Sequence, residues 1–131
     1  MRALVVEDDF TSCLLLQQIL KRFAEVRIAV DGREAVDAAL VAWDARLPYH
    51  LICLDIMMPT LDGQAALAEL RAHEKRLGIE PEHQAAIIMT TTLDDLHQVK
   101  MAVDNLCSGY LTKPIDKGAF LAMMRKLELI A

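Results

Sequence analysis

The chain has 131 residues, 54% of them hydrophobic and 25% charged, the composition of one soluble globular domain with no length left for a second. A formal net charge of −5 at pH 7 and a pI near 5.3 exclude a general binder of nucleic acid or of anionic membrane, because such partners select basic surfaces. No apolar run approaches the roughly 18 residues of a membrane span, and "MRALVV" is too short for a signal-peptide core, so a cytoplasmic chain is expected.

In chain order, the first apolar run, "ALVV" at 3–6, reads as a strand that ends in Glu7, Asp8 and Asp9. Three adjacent carboxylates repel one another unless a cation sits among them. The segment that follows has helical period and places Leu15, Leu16, Ile19, Leu20 and Phe23 on one face. Leu14 falls off that face beside Cys13, either as an ordinary exposed leucine or as part of an apolar dock for a partner helix. Strand-like runs recur as "VRIAV" at 26–30, "LICL" at 51–54, "AIIM" at 86–89 and "GYLT" at 109–112, each followed by a longer helical segment. The last helix puts Phe120, Met123, Met124 and Leu127 on one face. Strands two to five read as continuous apolar runs, as a parallel sheet covered on both faces requires, so the expected class is doubly wound α/β.

In open sheets of this kind the ligand site lies beyond the carboxyl ends of the strands. What stands there is Glu7, Asp8 and Asp9 after the first run, Asp55 in "LDIMMPTLDG" after the third, Thr90, Thr91 and Thr92 after the fourth, and Lys113 with Pro114 in "YLTKP" after the fifth. Carboxylates from two strands make a hard-oxygen site suited to Mg²⁺, an ion that keeps several waters while shared with a phosphate. The lysine ammonium and a threonine hydroxyl suit phosphoryl oxygens.

"VVEDD", "LDIMMPTLDG", "IIMTTT" and "GYLTKP", in this order and at normal spacing over essentially the whole chain, resemble the receiver domain of two-component response regulators. The resemblance implies a flavodoxin-like sheet of order 2-1-3-4-5 with five helices, forming one receiver domain over 1–131 without an output domain. It implies that Asp55 is the phosphoacceptor, served by a histidine kinase or phosphotransfer protein. It further implies that Mg²⁺ is held by Asp8, Asp55 and the backbone carbonyl of Met57, with Glu7 acting directly or through water. Lys113 would pair with Asp55 and then with its phosphoryl group, Thr91 would donate to a phosphoryl oxygen, and Tyr110 would be the aromatic switch position. Met57 and Leu93 fall where the family tunes the lifetime of the phosphorylated state. The output would be binding of a protein target through the fourth helix, fifth strand and fifth helix, by a monomer or a weak phosphorylation-dependent dimer. Such a protein is not an enzyme beyond its own phosphorylation and dephosphorylation.

Other residues read more plainly. Asp62 caps the third helix, with Gly63 easing the turn; Asp94 and Asp95 complement the dipole of the fourth; Asp9, one past the acidic pair that aligns with the family, has a minor electrostatic role. His50, His73, His83 and His97 share no ligand spacing and read as surface residues. Cys13, Cys53 and Cys107 are odd in number and distant, so they are expected reduced, two of them in the core. Most methionines read as core filler. Thr92, where the family has a small residue, either crowds the entrance or adds a hydroxyl. Two alternatives remain at this stage: a metal-dependent phosphatase with a phosphoaspartyl intermediate, whose nucleophile would follow the first strand, and a pseudo-receiver that only binds partners.

Overall fold

Short apolar runs alternating with helix-period segments produce five parallel strands and five α-helices in strict β-α order. The computed structural model describes residues 1–58, 60–104 and 106–131, so Pro59 of the "LDIMMPTLDG" block lies outside the described residues. The elements are β1 (Arg2–Val6), α1 (Phe10–Leu20), β2 (Glu25–Ala29), α2 (Gly32–Asp44), β3 (Leu51–Asp55), α3 (Gly63–Arg76), β4 (Ala86–Thr91), α4 (Leu93–Val103), β5 (Gly109–Thr112) and α5 (Lys117–Lys126). The sheet order is β2-β1-β3-β4-β5, as expected, and the reversal of order between β1 and β3 opens the crevice at the strands' carboxyl ends.

Alternation along each strand divides the core in two. Leu4, Val6, Ile52, Leu54, Ile87 and Met89 face α2, α3 and Leu96 of α4. Ala3, Val5, Leu51, Cys53 and Ile88 face α1 and α5. Phe120 on α5 is wholly buried there, and its truncation to Ala is worth about 3–5 kcal/mol by the usual cost of an aromatic cavity.

Two expectations are corrected. β2 is not a continuous apolar run: Glu25 and Arg27 are exposed, Val26 and Ile28 half-buried, and only Ala29 is buried, because the strand lies at the sheet edge. Val30, read as its last residue, follows the strand and is exposed. In α1 the helix ends at Leu20 and the chain turns, with the Phe23 N–H donating to the Leu20 carbonyl at 2.8 Å, which leaves Phe23 38% exposed and off the helical face.

Candidate functional site

Acidic residues crowd the carboxyl edge of the sheet, and helix capping sorts them. Side chains of Asp9, Asp31, Asp62 and Asp116 accept from the N–H groups of Ser12, Glu34, Ala65 and Ala119 at 2.8–3.0 Å and so cap α1, α2, α3 and α5. Asp9 therefore has a defined role rather than a minor electrostatic one, and Ser12 holds its carboxyl below the usual range through hydrogen bonds from both hydroxyl and N–H. Thr92 caps α4, its hydroxyl accepting from Asp95 N–H at 3.2 Å, so its hydroxyl is engaged with the helix. Asp94 and Asp95 lie in the first turn of that helix, as expected.

Left over are Glu7, Asp8 and Asp55, each bringing one oxygen within 4.8 Å of the others. Asp55 ends β3 and is 5% exposed, Glu7 follows β1 and is 2% exposed, and Asp8 is exposed. Lys113, just past β5, reaches across β4 to both buried acids: its Nζ lies 3.1 Å from Asp55 Oδ2, 3.1 Å from Glu7 Oε1 and 2.9 Å from Glu7 Oε2. The lysine was expected to pair with Asp55; its bond to Glu7 had no signal in the sequence, since 106 residues separate the two. Burial and the nearby Asp55 push the Glu7 carboxyl up to about 7 against the opposing pull of Lys113. Burial lowers Lys113, but its bond to Glu7 and the charge of Asp55 more than offset this and leave it raised.

The other oxygen of Asp55, Oδ1, accepts the Met57 N–H at 3.2 Å. The Met57 side chain is 57% exposed and that of Leu93 55%, so both stand at the open end of the sheet. Of the three threonines, Thr90 and Thr91 are buried and Thr92 exposed. The Thr91 hydroxyl is buried without a hydrogen-bond partner among the described residues, and its carbonyl accepts the Lys113 N–H at 2.6 Å. Tyr110, half-buried in β5, packs against the α2–α3–α4 core with Lys100 Nζ 5.7 Å from its ring centroid. Phe10 and Leu14 on α1 are 79% and 42% exposed, so Leu14 does lie off the apolar face.

The donor set fits a small divalent cation. Among the described residues it consists of carboxylate oxygens, it is net negative around the Lys113 ammonium, and Glu7 Oε2 has no well-directed hydrogen-bond donor although Lys113 is near. Histidine and cysteine contribute nothing to it: His50, His83 and His97 are exposed and His73 half-buried elsewhere, and Cys53 alone of the thiols is fully buried. Of the described methionines only Met89 and Met124 are buried; Met1, Met58 and Met123 pack half-buried against the core and Met57 is exposed, so the expectation that most are core filler is corrected.

The profile of the response regulator receiver domain matches residues 3–125. The DNA-binding dual master transcriptional regulator RpaA of Synechocystis is 31% identical over 127 residues, spanning 96% of this chain and 48% of its own length. The chain spans only 12% to 50% of the length of the first curated relatives it matches. Among solved structures, the complex of the Saccharomyces cerevisiae histidine phosphotransfer signalling protein Ypd1 with the receiver domain of Ssk1 is similar at 25% identity and a TM-score of 0.80, over 99% of this chain and 92% of that one. The receiver domain of a sensor histidine kinase of Pseudomonas aeruginosa, solved with a magnesium ion coordinated in its active-site cleft, is 26% identical with a TM-score of 0.72, over 95% of this chain and 94% of that one.

Proposed function

The chain belongs to the response regulator receiver domain family, and on that premise we propose that it is a switch whose state is set by a phosphoryl group on Asp55. The donor is a phosphohistidine of a kinase or phosphotransfer protein. A carboxylate oxygen of Asp55 attacks the phosphorus in line; the O–P bond forms as the N–P bond breaks, and the imidazole leaves with the electron pair and takes up a proton. The observation that carries this reading is the convergence of Asp55, Glu7, Asp8 and Lys113 from the ends of three strands onto one recessed spot.

Each residue has its part. Lys113 neutralises charge on the equatorial oxygens, and Thr91, whose hydroxyl has no hydrogen-bond partner among the described residues, donates to one of them. Asp8, Asp55 and the Met57 carbonyl would hold Mg²⁺, with Glu7 direct or through water, and the ion when bound would supply further charge neutralisation. Movement of Thr91 toward the phosphoryl group lets Tyr110 reorient, which biases the α4–β5–α5 face toward a downstream protein. Phe10 and Leu14, exposed on the helix that opens beside the acids, offer an apolar rim to the donor. The likeness to a receiver captured with its phosphotransfer protein, and to one with magnesium in its cleft, supports donor and metal alike.

The test is incubation with acetyl phosphate and Mg²⁺, followed by intact mass and peptide mapping. One phosphoryl group on Asp55, lost in Asp55→Asn, is expected; unchanged yield in that variant refutes the assignment. Thr91→Ala should still be phosphorylated but transmit poorly, read as equal partner affinity in the two states.

A further inference from the structure

Two stretches of the chain echo each other, "VDGREAV" at 30–36 and "LDGQAAL" at 61–67. In each an aspartate caps a helix, Asp31 for α2 and Asp62 for α3, and a buried glycine is the first helical residue. Neither glycine has positive φ, so easing the turn, the role expected for Gly63, does not explain them. Space does. A methyl on Gly63 would stand 2.0 Å from the Asp55 carbonyl oxygen and 2.7 Å from Ile56 Cα, and one on Gly32 would stand 2.1 Å from the Leu61 carbonyl oxygen. The Gly63 N–H donates to the Ile56 carbonyl at 2.8 Å, and the Gly32 N–H donates to the Leu61 carbonyl at 3.0 Å. The connection from Asp55 to α3 is thus held at two points, by its own helix against the strand end and by a neighbouring helix against Leu61. That connection carries Met57, whose N–H bonds Asp55 Oδ1.

We propose that Gly32 is a positioning residue for the acceptor: the first turn of α2 is the wall against which the loop after β3 is set, and its missing side chain fixes the Met57 backbone relative to Asp55. The inference rests on the acceptor-site reading and deepens it. A methyl at Gly63 would displace the backbone of Asp55 and Ile56 directly, whereas a methyl at Gly32 would displace the backbone of Leu61, away from the acceptor residue itself, so Gly32→Ala is the variant to make.

In metal-free protein, the Met57 amide of Gly32→Ala should exchange with solvent faster than in the parent. The Kd for Mg²⁺, read by calorimetry, should rise roughly tenfold or more, and phosphorylation by acetyl phosphate should slow by a similar factor, as for loss of a group that orients a metal ligand. Gly78→Ala is the control: its φ is 70° and an added methyl meets none of the described residues within 4 Å, so it loses stability through backbone strain without touching the acceptor loop. If Gly32→Ala does not fold, the double variant with Ala66→Gly, which removes a methyl contact at 3.1 Å, is measured in its place. Parent-like Met57 exchange and Mg²⁺ affinity in the folded variant overturn the proposal, and so do equal losses in Gly78→Ala. A parent that neither binds Mg²⁺ nor takes up phosphoryl refutes the acceptor reading instead, and faster Met57 exchange then still decides the positioning role.

Discussion

Both ends of the sheet bury a carboxylate beside a cation, and they complete the arrangement differently. At the amino end of β4, Glu74 is 1% exposed; its Oε1 bonds Arg71 at 2.7 Å and its Oε2 accepts the Ala85 N–H at 2.8 Å. Arg71 also donates to the carbonyls of Leu106 at 2.7 Å and Ala85 at 2.8 Å and to the Ser108 hydroxyl at 3.5 Å, which ties α3 to the entrances of β4 and β5. One anion meets one cation and every carboxylate oxygen is directed. At the carboxyl end, Glu7 and Asp55 share the Lys113 ammonium, and among the described residues Glu7 Oε2 and the Thr91 hydroxyl have no directed partner. Buried charge by itself is therefore no sign of chemistry; surplus negative charge beside an unspent donor is.

Charge reversal should break the comparison most sharply. Asp8→Lys is expected to abolish Mg²⁺-dependent phosphorylation while leaving stability within about 1 kcal/mol of the parent or raising it, because an exposed cation relieves repulsion among the acids. Glu74→Lys, at the completed end, should not fold; denaturation of both variants checks the contrast. Removal of each cation comes next. Arg71→Met strands Glu74 in the interior and should lower stability by about 3–5 kcal/mol, whereas Lys113→Met should cost well under half of that, since Glu7 can hold its proton. Equal urea midpoints for the two variants would erase the distinction.

A smaller effect follows the proton. Burial raises the Glu7 carboxyl from its ordinary range near 4.5 to about 7, so this residue's contribution to stability is greatest below the lower value and falls as pH rises through the window. Mg²⁺ affinity should rise across the same window as the carboxylate forms. Glu7→Gln should flatten both trends in urea titrations and calorimetry at a series of pH values. The smallest effect concerns lifetime. Met57 and Leu93 carry apolar side chains that can shield a phosphoryl group without orienting water, so Met57→Asn with Leu93→Glu should lose its phosphoryl group several-fold faster in excess Mg²⁺ after donor removal. A parent that decays as fast would show that shielding there does not set the rate.

The strand-helix alternation, and the placing of Asp55, Asp8 and Lys113 at strand ends, were legible because apolar periodicity is local and charged residues interrupt it. β2 was misread because edge position is a property of sheet order, which no single run encodes. The capping roles of Asp9 and Thr92 did have a local signal: "DFTS" and "TLDD" each set a cap three residues before the residue whose N–H it accepts. The Lys113–Glu7 bond and the close approaches at Gly32 and Gly63 had none, because they join segments that only the folded sheet brings together.

Cys53 lies at the centre of β3, two residues before Asp55, and burial pushes its thiol up to about 12; Cys13 and Cys107 are only half-buried. An alkylating reagent at neutral pH should therefore reach the outer two thiols in the native protein and the third only when the sheet separates. The chain thus carries its own clock: the rate of the third alkylation, divided by its rate in denaturant, is the fraction of time β3 spends exposed. A ligand that binds only the folded site should slow that clock by mass action.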